Sequence, residues 1–226
     1  MNNSLTTCWT LIDQAALGDH SHRNEFSTKY YSVVRSYLET RWRRSHLISH
    51  IDDACQEVFI ECFRIDGPLA RAQRGTAGGF RSFLYGIVRN IARRFETRNK
   101  RGKIVQAGEF LDKIDADETS LSRVFDRAWA VAIMQQAAER QALHAKTSGE
   151  DAVRRIELLK LRFRKGLPIR EIAQRWSLEA AFLHREYSKA RKEFLRALEE
   201  VVFEQNDGIT SAEISERCTQ LVEMVQ

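Results

Sequence analysis

Aromatic and basic side chains alternate along residues 80–98, and this combination suits nucleic acid. Aromatic faces and arginine planes stack on unpaired bases, while the cationic charges follow the phosphate backbone. Asn90 lies in the same segment and offers both a donor and an acceptor to the edge of an unpaired base. We expect Arg89, Asn90 and Arg93 to face nucleic acid and Phe83 to belong to the hydrophobic core.

A second basic segment begins with the apolar pattern of a helix-turn-helix. The apolar positions of its first short helix are Ile169, Ile172, Ala173 and Trp176. Ser177 marks the turn, and the second helix is expected to bury Phe182 or Leu183. Such a helix fits the major groove of a DNA duplex, where its side chains reach base edges and phosphates. The side chains expected to contact the duplex are Arg170, His184, Arg185, Ser188, Lys189, Arg191 and Lys192.

A polar face precedes both segments. Asp53, Gln56, Glu57 and Glu61 stand at positions i, i+3, i+4 and i+8, so they share one side of a helix. The opposite side carries the apolar residues Ile51, Cys55, Val58, Phe59 and Cys62. Acidic and amide side chains in this arrangement suit a basic protein partner. An ordinary solvated helix face is the alternative.

Enzyme chemistry has weak support in the sequence. The glycine-rich phosphate-binding motifs and the GxSxG nucleophile motif are absent. His46 and His50 are four residues apart and lie near Asp52 and Asp53, so a metal-dependent hydrolase stays open as an alternative. We expect no enzyme activity, no cofactor and no metal.

The composition predicts helices throughout. The chain has 226 residues, 43% of them hydrophobic, with only two prolines and a formal net charge of +5. This apolar fraction is typical of a globular protein, and no segment is long and apolar enough to cross a membrane. Residues 1–10 lack the basic start and apolar stretch of a signal peptide, so we expect a cytoplasmic protein. The four cysteines lack the close pairing of zinc ligands, and a reducing cytosol would keep them as thiols.

Charge alternates in blocks along the chain. Residues 81–103 and 154–196 are strongly basic, whereas residues 109–126 and 199–226 are acidic. Two separate basic blocks indicate two contacts with a polyanion, although each block alone is also compatible with a solvated helix face. Residues 103–120 have no helical periodicity and are predicted to form an acidic linker.

Several residues are predicted to define helix ends. Asn24 is expected to cap a long helix, and Asp52 and Asp53 to begin the next one. Residues 65–79 are a loop with a strong helix after it, from 79 to about 102. Pro168 is expected to be the first residue of the short helix before Ser177.

Three stretches resemble bacterial RNA polymerase sigma factors. They are residues 51–59 (IDDACQEVF), 82–90 (SFLYGIVRN) and 171–191 (EIAQRWSLEAAFLHREYSKAR), in the order found in that family. The chain has room for two conserved domains only, so it resembles the extracytoplasmic-function (group 4) members. Residues 126–137 (DRAWAVAIMQQA) are similar to the opening of the second domain in planctomycete-type members.

The resemblance implies two small helical domains. A region 2-like domain would span residues 1–102, the acidic linker 103–120, a region 4-like domain 121–204 and an acidic extension 205–226. Such a protein has no catalysis of its own. It directs RNA polymerase core to promoters, binds the −35 duplex through the second domain, and melts the −10 element through the first.

The resemblance also assigns partners to residues. The face of Asp53, Gln56, Glu57 and Glu61 would dock on the coiled coil of the polymerase's largest subunit. The second domain would contact the flap of the second-largest subunit. An anti-sigma factor or other regulator is a further expected partner. The residues expected to hold the −10 element are Arg71, Arg74, Tyr85, Arg89, Asn90, Arg93, Arg94 and Arg98.

The chain departs from the family pattern at positions that bear on DNA recognition. Phe83 replaces the usual tryptophan, and Arg94 stands where an aspartate is common. Ser177 replaces the turn glycine, which a left-handed backbone would favour. Phe182 replaces a small threonine. Glu186 stands where arginine is usual, and it either accepts from cytosine N4 or repels phosphate.

Three roles stay open for the acidic extension: packing on the second domain, shielding its basic helix, or binding a regulator. The linker is either a mimic of nucleic-acid charge or a plain tether. A free-standing helix-turn-helix repressor or activator is the main alternative for the whole protein. Such a regulator would need neither the polar face of residues 53–61 nor the basic aromatic helix.

Overall fold

The computed structural model describes residues 8–72, 79–105, 117–206 and 208–225. All regular elements in these ranges are helices, which confirms the predicted all-α class. The α-helices are α1 Cys8–Ala16, α2 His20–Trp42, α3 Ile51–Phe63, α4 Gly79–Val105, α5 Glu118–Ser148, α6 Glu150–Phe163, α7 Ile169–Trp176, α8 Ala180–Gln205 and α9 Ser211–Val225. Short 3₁₀ helices span His46–His50 and Leu69–Arg71.

The chain divides into two compact units. Unit 1 comprises residues 1–132, 204–209 and 221–226, and unit 2 comprises residues 133–203 and 210–220. The division falls within α5, after Ala132. Among the described helices, none has the combination of length and apolar character that a membrane span needs.

The start of α2 differs from the sequence prediction. Asp19, not Asn24, caps this helix: its side chain accepts a hydrogen bond of 2.9 Å from the backbone N–H of His22. That bond lowers the pKa of the Asp19 carboxyl. Gly18 has a φ of +101°, a backbone conformation that glycine tolerates and that reverses the chain between α1 and α2. The helix therefore begins before Asn24, which lies in its second turn.

Unit 1 is built around aromatic side chains. Phe26 of α2 lies 4.9 Å from Tyr30, 5.5 Å from Phe63 and 5.8 Å from Phe80, measured between ring centroids. Most of these ring pairs are tilted or edge-to-face, the arrangements that aromatic quadrupoles favour. The apolar side of α3 is buried as predicted, with Ile51, Cys55, Val58, Phe59 and Cys62 all in the core.

A buried ion pair joins α2 to α4 inside unit 1. Arg41 donates to both carboxylate oxygens of Glu96, at 2.6 and 3.1 Å. The indole N–H of Trp42 donates to the same carboxylate at 3.0 Å. Burial alone would lower the pKa of Arg41, but the hydrogen bonds with Glu96 outweigh it and raise that pKa. Removing one partner would leave a buried charge uncompensated, at a cost of about 3–5 kcal/mol.

The core of unit 2 assembles α6, α7 and the start of α8. Its buried members are Leu158, Leu161, Ile169, Ile172, Ala173 and Leu183. Trp176, Leu178 and Tyr187 are partly buried and pack against this cluster. Of the two residues expected to enter the core at the start of α8, Leu183 is buried, whereas Phe182 keeps 36% of its surface exposed.

Other boundaries shift by a few residues. Pro168 directly precedes α7 with an extended backbone and is not its first helical residue. α4 continues to Val105 and α5 begins at Glu118, so both ends of the predicted linker are helical. The middle of the linker lies outside the described residues. Phe83, expected in the core, is only half-buried, whereas Phe80 one turn earlier is buried.

Candidate nucleic-acid interfaces

The polar side of α8 and the start of α7 form the basic surface of unit 2. All seven side chains predicted to contact duplex DNA are exposed there: Arg170, His184, Arg185, Ser188, Lys189, Arg191 and Lys192. The guanidinium of Arg185 lies 6.0 Å from the centre of the Phe182 ring, and that of Arg191 lies 5.9 Å from the Tyr187 ring. Each guanidinium thus makes a cation–π contact with a ring of α8, while the arginine stays exposed.

A left-handed residue ends α7 and begins the turn to α8. Ser177 has φ 53° and ψ 42°, the left-handed conformation in which the family pattern favours glycine. The backbone N–H of Leu178 donates to Ala173 O at 2.9 Å, and that of Ser177 donates to Gln174 O at 3.2 Å. This pair of bonds ends α7 in a Schellman motif. Leu178 then packs under the turn, so α8 starts in a fixed direction.

Glu186 is paired with two basic side chains and is largely covered on α8. Its carboxylate turns inward and accepts hydrogen bonds from Arg155 at 3.1 Å and from Lys189 at 2.7 Å. The hydrogen bond from Lys189, assisted by that from Arg155, lowers the pKa of Glu186. Arg155 also binds Glu193, with N–O distances of 3.0 and 2.6 Å. One arginine of α6 therefore holds two carboxylates of α8.

In unit 1, three α4 side chains predicted to face the −10 element contact Glu118, the first residue of α5. The hydroxyl of Tyr85 donates to Glu118 at 3.2 Å. Arg89 and Arg93 each lie 3.2 Å from the same carboxylate. Burial alone would raise the pKa of Glu118, but the positive charges of Arg89 and Arg41 and the hydrogen bond from Tyr85 lower it.

The first turns of α5 fix Glu118 in this position. Leu121 and Phe125 are buried, and Trp129 is nearly so. Phe125 lies 5.2 Å from the Tyr85 ring, and Trp129 stacks on Tyr30 at 5.2 Å, between centroids. Arg81 of α4 forms a close ion pair with Asp126. Residues 118–132 are thus a packed part of unit 1, and they cover one side of α4.

The polar face of α3 has two exposed and two partly buried members. Asp53 and Gln56 are exposed. Glu57 accepts two hydrogen bonds from Arg98 of α4, at 3.1 and 3.2 Å. Glu61 lies 3.4 Å from Arg94 and 3.5 Å from Arg64. The ion pairs of Glu57 and Glu61 therefore connect α3, whose polar face is predicted to bind polymerase, to α4, which is predicted to bind DNA.

The remaining residues predicted for the −10 element differ in their surroundings. Asn90 is exposed on α4. Arg71 is exposed and its Nε donates weakly, at 3.4 Å, to Gly67 O. Arg74 lies outside the described residues. The structure thus brings Tyr85, Arg89 and Arg93 together on a single carboxylate, and it places Arg94 and Arg98 with the acidic side chains of α3.

The sequence pattern did not single out Glu118, Arg155 or Glu193, which pair with side chains of the predicted sites or of their neighbours. For Glu118 the sequence indicates only the helix: Leu121, Phe125 and Trp129 recur every four residues after it, which predicts a buried helix face but not the partners of the carboxylate. Arg155 and Glu193 carry no local signal either, because their contact joins two residues that are 38 positions apart in sequence.

The two histidines considered for a metal site have separate partners. His46 Nε2 lies 2.7 Å from Asn99 Oδ1, and His50 Nδ1 lies 3.6 Å from Asp53 Oδ2. Within the described residues, no group of three histidine, cysteine or carboxylate side chains is arranged to hold a metal ion.

Comparisons with protein-family models, with curated proteins and with solved structures gave no match.

Proposed function

We propose that this chain is a sigma factor of the extracytoplasmic-function group, which directs RNA polymerase core to promoters. The observation that carries the proposal is the exposed basic side of α8 behind the left-handed turn at Ser177. A helix presented in this way fits the major groove, where arginine reads guanine and lysine meets phosphate. Duplex recognition at the −35 element is therefore assigned to unit 2.

The order of the three family-like stretches extends the proposal to unit 1. Asp53 and Gln56 are exposed on α3 and offer acidic and amide groups to a basic coiled coil. Asn90 is exposed on α4 and offers an amide to an unpaired base. In this proposal α3 docks on the polymerase, and α4 captures the melted −10 strand.

The contact of Glu118 with α4 sets a condition on this function. Tyr85, Arg89 and Arg93 are hydrogen-bonded or ion-paired to Glu118 and lie beside a packed helix. For these three side chains to hold a −10 strand, the Glu118 carboxylate must first release them. Asn90 is exposed in the present arrangement and can act without that release.

The same contact is the specific observation that favours a second candidate, a free-standing helix-turn-helix regulator. Such a protein needs only the duplex-binding surface of unit 2. It leaves α4 free to serve as a structural helix whose cations are neutralised inside unit 1. The two candidates share duplex binding and differ in polymerase binding.

Run-off transcription separates them. RNA polymerase core would be mixed with the protein and a library of promoter regions from the source genome. A sigma factor gives discrete start sites only when the protein is added, and it co-migrates with core on gel filtration. Duplex binding without start sites or co-migration would reject the sigma proposal and support the regulator.

A double substitution, Asp53→Ala with Gln56→Ala, sharpens this test. In a sigma factor it should weaken co-migration with core and leave duplex binding by the isolated protein unchanged, because both residues lie in α3 of unit 1. Arg127→Ala, an exposed change in α5, is the matched control and should alter neither property.

A further inference from the structure

Glu186 is an acidic residue in the middle of the basic surface of α8. It directly follows Arg185 and precedes Ser188 and Lys189, all three of which are exposed. The Glu186 side chain itself is only 13% exposed. Its position in sequence is that of a groove-facing residue, but its carboxylate faces α6.

Two cations are bound to this carboxylate. Lys189 Nζ lies 2.7 Å from Glu186 Oε1, and Arg155 Nη1 lies 3.1 Å from Oε2. Arg155 is 14% exposed and is shared with Glu193, which lies two helical turns after Glu186 on α8. The two acids and two bases form a neutral cluster, so neither cation adds net charge to the surface that meets DNA.

The ion pair of Lys189 with Glu186 affects specificity, because unpaired cations bind duplex DNA of any sequence. Each lysine that neutralises a phosphate releases counterions, and this term supplies nearly all non-specific affinity. The Lys189 side chain is 62% exposed, so it has room to reach phosphate once its ammonium is released. The carboxylate of Glu186 would also repel a phosphate that approached it.

We propose that Glu186 is a specificity-determining residue, which withholds Lys189 from phosphate and so weakens binding to duplexes of arbitrary sequence. The proposal rests on the part of the proposed function that places α8 in a DNA groove. It holds equally for a sigma factor and for a free-standing regulator. It revises the expectation that Lys189 contacts DNA as an independent cation.

The test is Glu186→Gln, which keeps the size of the side chain and an acceptor for Arg155 but removes the charge. Binding to a fluorescent duplex of scrambled sequence would be measured over a range of salt concentrations. We expect roughly three- to tenfold tighter binding at low salt and a salt slope steeper by about one phosphate contact. The affinity for a promoter duplex identified by run-off transcription, divided by the affinity for the scrambled duplex, should fall.

Two variants control for other effects of the charge change. Glu179→Gln removes an exposed carboxylate just before α8 and should shift affinity much less. Glu186→Gln combined with Lys189→Gln should return the salt slope to the wild-type value, because the released cation is then absent. A double variant that keeps the steeper slope would overturn the proposal.

The remaining outcomes are also distinct. Loss of affinity for the promoter duplex alone would mean that Glu186 reads a base, and equal loss on both duplexes with a lower melting temperature would mean a purely structural role. Either result rejects the inference while duplex binding by α8 stands. If the wild-type protein binds neither duplex, the proposed function itself fails.

Discussion

The carboxylate of Glu118 lies against a cationic face of α4 and neutralises part of its charge. Tyr85, Arg89 and Arg93 all contact it within 3.2 Å, and Arg41 approaches it at 3.4 Å. An anion that gathers several donors competes directly with a phosphate for the same groups. The Glu118 carboxylate therefore binds the same side chains that are proposed to bind nucleic acid.

Glu118→Gln should release Arg89 and Arg93 from ionic contact while keeping a hydrogen-bond acceptor for Tyr85. We expect a few-fold tighter binding to a single-stranded oligonucleotide carrying the −10 sequence, measured by fluorescence anisotropy. Because the side chain is 43% exposed, the loss of stability should stay below about 1 kcal/mol. Glu139→Gln on the same helix is the control and should change neither quantity. Unchanged oligonucleotide binding by Glu118→Gln would remove these two arginines from the proposed −10 site.

Two buried groups of unit 1, a tyrosine hydroxyl and a cysteine thiol, should make its stability depend on pH in the alkaline range. Burial raises the pKa of the Tyr37 hydroxyl from 10.0 to about 12 and that of the Cys62 thiol from 9.0 to about 12. A group with a raised folded-state pKa stabilises the fold below its unfolded pKa and loses that contribution as the pH rises towards the folded value. The free energy of unfolding should therefore fall as the pH rises above about 9.

Urea unfolding at a series of alkaline pH values measures this slope. Cys62→Ala should lower stability at neutral pH through the cavity it leaves, yet flatten the decline at alkaline pH. A decline of unchanged steepness in that variant would mean that Cys62 does not contribute to it.

At the scale of elements, the α7–α8 turn stores backbone strain at Ser177. A residue with a Cβ atom pays for the left-handed conformation, whereas glycine does not. Ser177→Gly should raise the free energy of unfolding by about 1 kcal/mol, measured by urea denaturation. Ser215→Gly, in the exposed middle of α9, is the matched control and should lower stability by a fraction of 1 kcal/mol. A loss of stability at Ser177 would contradict the strained-turn account.

The helices were largely predictable because their apolar periodicity is local information. Cys55, Val58, Phe59 and Cys62 recur at helical spacing, and all are buried. The turn at Ser177 was predictable because the apolar pattern changes phase there. The cap of α2 was not predictable from residue type, because Asp19 and Asn24 are both good capping residues and only the chain reversal at Gly18 decides between them.

Pairing between helices was not predictable from local patterns. Glu118 meets Arg93 across 25 residues and Tyr85 across 33, and Arg155 meets Glu186 across 31. Such pairs depend on how helices pack, and hydrophobic spacing does not fix which charged side chains meet. The exposed basic residues of α8 were therefore foreseen, while the carboxylates that restrain the cations of α4 and α8 were not.

At the scale of the whole molecule, two basic surfaces belong to two compact units. The cations of α4 lie in unit 1 and are paired with carboxylates of α3 and α5. Those of α8 lie in unit 2, where Arg185, Arg191 and Lys192 are exposed. In the proposed function, the surface of unit 2 binds duplex and that of unit 1 binds single strand. Substitutions in the two units should then affect different steps.

Arg185→Ala and Asn90→Ala test this separation. Arg185→Ala should weaken binding to a duplex that holds only the −35 element by about tenfold, the effect of losing one good base contact. Asn90→Ala should leave that binding within about twofold, because only one exposed amide of unit 1 changes. The control is again Arg127→Ala, which removes one positive charge outside both predicted surfaces.

The transcription assay supplies the complementary readout. Asn90→Ala should reduce strand opening on a fully paired promoter, and a template whose −10 element is already unpaired should restore part of the activity. Arg185→Ala should gain little from that template, since its defect precedes opening. Equal losses by both variants on the −35-only duplex would mean that the two surfaces do not act separately. The proposed assignment of −10 capture to α4 would then be wrong, even if the protein binds RNA polymerase core.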